Sequence, residues 1–129
     1  MNREIKFRGY DKFDKRWVYG YGLHQSIFID GSSNAYVTAG IREVFIVDKE
    51  STGQYTGIKD YKGKEIYEGD IVETTRGLNH IVGVVTMIKG CWYIQDGKDS
   101  YYRLIPRFGT AENKAIGNIY ENKNLLEED

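Results

Sequence analysis

Two histidines, His24 and His80, and one cysteine, Cys91, are the chain's whole supply of imidazole and thiol. These are the groups most used as metal ligands and as bases or nucleophiles in group transfer. A structural zinc site takes four Cys or His ligands and a catalytic one usually three protein ligands, and these residues do not stand at ligand spacing. A nucleophile would need a histidine base with an orienting partner; Cys91, beside Trp92 in an apolar run, reads instead as a core residue. The carboxylate pairs Glu43 with Asp48 and Glu65 with Glu68 have no sequence context that would raise one pKa and lower the other. Asp96-Gly-Lys-Asp99 fits a hairpin turn better than a calcium loop, and no glycine-rich loop precedes a helix. The expectation is a protein without catalytic residues, metal or cofactor.

Binding chemistry has more behind it. Residues 3 to 16 carry six basic and three acidic side chains, and Arg103 and Arg107 stand near Tyr101 and Tyr102. Basic residues interleaved with aromatics can track a phosphate backbone and stack bases. A nucleic-acid face of this kind would use Arg3, Lys6, Arg8, Arg16, Arg103 and Arg107. The plainer reading is that Lys6, Arg8, Lys12, Lys15 and Arg16 are the wet face of an edge hairpin, kept charged to discourage strand pairing. The stripe Trp17, Tyr19, Tyr21 and the pair Trp92-Tyr93 either fill a core or lie at a protein interface. The candidate binding surface is therefore Arg8, Arg16, Trp17, Tyr19, Trp92, Tyr101, Arg103 and Arg107. A pocket that sequesters a small ligand at a subunit interface is a further alternative.

The elements that must position these residues are mostly strands. Fifteen glycines against one proline, with eleven tyrosines, suit many short strands joined by tight turns. Ile5, Phe7 and Gly9 alternate with Lys6, Arg8 and Tyr10, and after a polar turn Trp17, Tyr19, Tyr21 and Leu23 recur at the same period of two, which predicts a hairpin. Ser26–Asp30 and Ala35–Thr38 predict a second hairpin, and residues 42–48, apolar on both faces, a central strand. From Asp70 onward five apolar segments alternate with turns: 70–75, 80–88, 91–95, 100–105 and 116–120. That is the plan of an SH3-like small β-barrel, with an open antiparallel sheet as the alternative. One helical turn is expected near Thr110–Ala115. The overall expectation is a mostly β chain: an N-terminal β-hairpin lobe over about 1–60, packed with a C-terminal barrel over about 61–122, then an acidic tail, 123–129. In that tail Leu125 and Leu126 either fray or dock on a neighbouring surface.

A formal charge of −1 across 129 residues lacks the footprint of a protein held to nucleic acid mainly through phosphates. A lone cysteine suits a reducing compartment, and the opening Met-Asn-Arg-Glu-Ile-Lys has no signal-peptide apolar stretch. No run approaches a membrane span. A cytoplasmic location is expected.

Three segments resemble the YopX-like family of bacteriophage and prophage proteins: Arg3–Asp11, Gln54–Val72 and Ile116–Leu126. The middle one reads Gln-Tyr-Thr-Gly-Ile-Lys-Asp-Tyr-Lys-Gly-Lys-Glu-Ile-Tyr-Glu-Gly-Asp-Ile-Val. The chain departs from the family pattern at Tyr10, where tryptophan is common, and at Lys123, where proline is common. The resemblance implies a phage-derived, mostly β protein with an SH3-type portion, a tendency to self-associate and no recognised enzymatic activity. It points to a non-enzymatic accessory protein that acts by binding as a homo-oligomer in the cytoplasm of a bacterial host. From the residues alone the middle block is turn chemistry: Gly53, Gly57, Gly63 and Gly69 at chain reversals, Asp60 and Asp70 accepting backbone amides, and Ile66, Tyr67, Ile71 and Val72 entering a core.

Overall fold

A computed structural model describes residues 4–106 and 112–126. The chain divides into two compact units, Met1–Tyr55 and Thr56–Asp129. In the first, β1 (Phe7–Asp11) and β2 (Arg16–Gly20) form the predicted charged hairpin. Its turn is closed by Asp11, whose carboxylate accepts the Phe13 amide at 2.9 Å and the Asp14 amide at 3.2 Å. A second hairpin joins β3 (Gly22–Ile27) to β4 (Ser33–Gly40), and the long β5 (Glu43–Lys59) completes the sheet order β2-β1-β5-β4-β3. A register shift between Arg8 and Tyr10 marks a bulge against β5, where the buried Ser51 hydroxyl accepts the Tyr10 amide at 2.7 Å. Val18, Ala35, Val37 and Val47 form this unit's core.

The second unit holds β6 (Glu65–Tyr67), which pairs with β5, and a five-stranded antiparallel sheet. Its strands are β7 (Asp70–Arg76), β8 (Asn79–Ile88), β9 (Cys91–Asp96), β10 (Ser100–Arg103) and β11 (Glu112–Asn118), in the order β10-β9-β8-β7-β11. The alternation of inward Val72, Ile81, Val85 and Ile94 follows from the period of two in a pleated strand, and with Ile66 and Leu104 they make one core. Gly83 must lack a side chain, since a Cβ there would lie 2.4 Å from the Gln95 carbonyl oxygen. A 3-10 helix, Lys123–Leu126, follows β11.

Several expectations change. The second sheet is an open meander with β11 added beside β7, so of the two arrangements weighed it is the open antiparallel sheet and not the closed SH3-like barrel. Residues 112–115 belong to strand β11, not to a helical turn; Thr110 and Ala111 lie outside the described residues. Three or four residues of helix propensity lose to the ladder that Glu112–Ala115 form with β7. The strand expected over 17–23 breaks at Tyr21, whose amide donates to the Thr38 carbonyl at 2.9 Å. The run 42–48 is central in its sheet, yet Val44 and Ile46 are 55 % and 47 % exposed, so one face is not covered.

Within the middle block, β5 runs straight through Gly53 and Gly57, which reverse nothing; Gly63 and Gly69 do sit in turns, with φ of +86° and +91°. Asp60 behaves as expected and goes further. One of its oxygens accepts the amides of Lys62 and Lys64, both at 2.9 Å, while the other takes the amide of Ala115 at 3.2 Å across to β11. Asp70 accepts the Tyr67 amide at 2.8 Å in a buried setting.

Replacing Gly69 by valine forces a β-branched residue into the left-handed region and should lower Tm by on the order of 5 °C or more. Lys64→Ala removes an exposed side chain and should leave Tm within about 2 °C. Equal shifts in thermal melts of the two variants would refute the turn assignment. Gly83→Ala should cost about 1–3 kcal/mol through overpacking, read as a lower urea midpoint at unchanged slope.

Candidate functional site

The basic and aromatic residues singled out by the sequence do not form one surface. On β1 and β2, cross-strand pairing sets Tyr10 opposite Trp17 and Arg8 opposite Tyr19, placing all four on one face. The Tyr10 and Trp17 rings meet edge to face with centroids 5.5 Å apart. The Arg8 guanidinium lies 4.7 Å from the Trp17 ring centroid, and only 7 % of Arg8 is exposed. A desolvated cation–π contact of this kind contributes on the order of 2 kcal/mol, which makes Arg8 and Trp17 parts of the scaffold. Arg16 projects from the other face, 5.4 Å from the Phe45 ring at the margin of the Val18–Val37–Val47 core. Lys6 and Lys12 pair with Glu4 at 2.8 Å and Asp48 at 3.1 Å. The solvated edge-hairpin reading therefore holds only in part: Lys12, Lys15 and Arg16 are exposed, but Arg8 is buried against Trp17 and does not belong to a wet face.

In the second unit Trp92 is partly buried against the core, on the face opposite Tyr93. Tyr101 and Arg103 stand opposite Gln95 and Tyr93 and share their face. Tyr101 is 45 % exposed and its hydroxyl donates to the Lys98 carbonyl at 3.1 Å. The Arg76 guanidinium donates to the Arg103 carbonyl, and burial lowers the Arg76 pKa from its usual value. Arg3 and Arg107 lie outside the described residues.

The imidazole and thiol groups are dispersed. His80 Nε2 lies 3.0 Å from a Glu73 carboxylate oxygen at the surface, His24 faces Tyr36 across the β3–β4 ladder, and Cys91 is a partly buried free thiol opposite Ile88. Among the described residues no three His, Cys, Asp or Glu side chains gather where they could hold a metal ion. No helix of the described chain is long and apolar enough to cross a membrane.

Two features escape the sequence reading. The first is apolar surface on β3, β4 and β5 and their connections: Tyr21, Ile27, Phe28, Ile29, Ile41, Val44 and Ile46 are all 47 % exposed or more. Val44 and Ile46 face outward beside Thr38 and Tyr36. The β3–β4 turn is held by Asp30, whose carboxylate accepts the Ser32 hydroxyl at 2.6 Å and its amide at 2.9 Å; both bonds keep its pKa below the usual range. The available signal was the absence of Lys, Arg, Asp and Glu from Gly22 to Ile29. The second feature is a cleft of about 650 Å³ on the outer face of the second sheet, lined by Val82, Val84, Gln95 and Ile119 and bordered by Leu125 and Leu126. The 3-10 helix seats there because Gly117 is bare: a Cβ would lie 2.7 Å from Asn122 Oδ1 and 2.9 Å from Leu125 Cδ1. Of the two readings of the tail leucines, docking is the one observed.

A crystal structure of protein EF1440 from Enterococcus faecalis is similar to this chain, with 23 % identity, a TM-score of 0.49, and 98 % of this chain and 100 % of that chain covered. No curated protein matches. The motifs at both ends and in the middle belong to one continuous match to the family described as YopX protein, over residues 6–127, and the chain is a member of that family.

Proposed function

We propose that this YopX-family protein is non-catalytic and acts by binding, as a homo-oligomer assembled through the apolar surface of its first unit. The observation that carries this reading is the exposure of Ile27, Phe28 and Ile29 at the β3 end of the sheet, with Val44 and Ile46 exposed on the opposite face of β5. Exposed apolar surface beyond scattered single residues marks sites of protein or membrane association. The setting assumed, a bacteriophage or prophage accessory protein in the cytoplasm of its host, comes from the family resemblance. In light scattering the wild type should run above its 14.9 kDa chain mass, and Ile29→Lys with Ile46→Lys should shift it toward the monomer. A wild type that stays monomeric at the highest attainable concentration would overturn the reading.

A second reading rests on Tyr93, Tyr101 and Arg103 sharing a face of the second sheet. These are the groups of a single-strand stacking platform with one phosphate contact. Single-stranded DNA should then be retained at low salt, with Arg103→Ala and Tyr101→Ala each reducing retention several-fold. No retention at low salt removes this reading.

A further inference from the structure

The two sheets end in four outer strands, and three of them carry charged residues: Arg16 in β2, Arg103 in β10, and Glu112 and Lys114 in β11. The fourth, β3, reads Gly-Leu-His-Gln-Ser-Ile, without Lys, Arg, Asp, Glu or Pro, and five of its six residues are exposed. Sheet edges left without charge, proline or bulge are templates for pairing with another strand.

Backbone geometry sets which residues face the open side. The Phe28 amide donates to the Ser32 carbonyl at 2.8 Å, in register with the ladder that pairs Ile27 with Ser33 and Gly22 with Thr38. Hydrogen-bonded and non-hydrogen-bonded pairs alternate along an antiparallel ladder, so Gly22, His24 and Ser26 direct their N–H and C=O groups to β4. Leu23, Gln25 and Ile27 direct theirs outward.

We infer that β3 pairs antiparallel with β3 of a second copy, about a two-fold axis at Gln25. The inference rests on the homo-oligomer reading above and names its interface. An isologous contact must be self-complementary, and this register is. Gln25 meets its own copy, and Leu23 meets Ile27, each pair exchanging two backbone hydrogen bonds through the outward groups. Leu23 and Ile27 lie on the face of Ala35 and Val37, and the pairing extends the first unit's core across the axis. No like charges are brought together.

Two variants test this. Hydrogen-bonded antiparallel partners have Cα atoms about 5.5 Å apart, within disulfide range. In a Cys91→Ser background, Gln25→Cys should be trapped as a covalent dimer on mild oxidation, while the exposed control Lys98→Cys should not. Gln25→Lys sets two ammonium groups on the axis and should raise the dimer dissociation constant at least about tenfold, with an unchanged circular dichroism spectrum. If the wild type oligomerises but Gln25→Cys is not trapped and Gln25→Lys assembles like the wild type, the β3 interface is refuted and the oligomer reading stands. A monomeric wild type refutes both.

Discussion

Backbone N–H and C=O groups along a sheet's outer strands have no neighbour to bond, and in a protein built from strands this constraint organises everything else. The chain meets it differently at each edge. At β11 the turn Asp60–Lys64 supplies the partners: the Tyr61 amide donates to the Asn113 carbonyl at 2.9 Å, and the Asp60 carboxylate takes the Ala115 amide where the register shifts. β10 is only four residues long, and the Arg76 guanidinium occupies its Arg103 carbonyl. β2 is charged at Arg16, and the chain just beyond it bonds Thr38 through Tyr21. Only β3 is left as an uncharged edge among the described residues, beside the most exposed apolar side chains of its unit.

The most recognisable segment of the sequence serves one of these edges. Gln54–Val72 carries the family resemblance, and its polar residues are occupied with structure: Asp60 joins a turn to a distant strand, Asp70 holds the Tyr67 amide, and the Thr56 hydroxyl donates to the Ile66 carbonyl at 2.8 Å. The lysines of the turn are exposed; their backbone amides are held by Asp60, and the Lys62 ammonium lies 5.6 Å from the Tyr61 ring centroid. In this chain the segment is the means of terminating a sheet.

Strand periodicity and turn composition were legible because they are local. The β1–β2 hairpin, β4, and the β7–β8–β9–β10 meander lie where alternation and Gly or Asp turns put them. What failed is non-local. Nothing near Glu112–Ala115 says that β7 has an open side waiting for it, so a weak helical preference looked plausible. Gly57 resembles a turn glycine, and its φ of +84° is that of one, but the partner strands keep β5 continuous through it. The basic–aromatic residues were correctly seen as neighbours on β1 and β2, yet periodicity does not reveal that Arg8 is buried against Trp17 while Arg16 turns to Phe45 on the opposite face. The apolar exposure of Val44 and Ile46 was misread for the same reason: an apolar strand looks identical whether its second face is covered by its own chain or awaits another.

The Asp60–Ala115 bond, spanning 55 residues, also bears on how the protein is made. Strands β7 to β10 pair with their sequence neighbours and can assemble in the order they are synthesised. β11 instead returns to β7, a contact of high sequence separation whose loop-closure entropy is met late. During translation, then, the amides of β7 and the second oxygen of Asp60 wait for β11 to leave the ribosome. Until then the growing chain carries an open sheet edge.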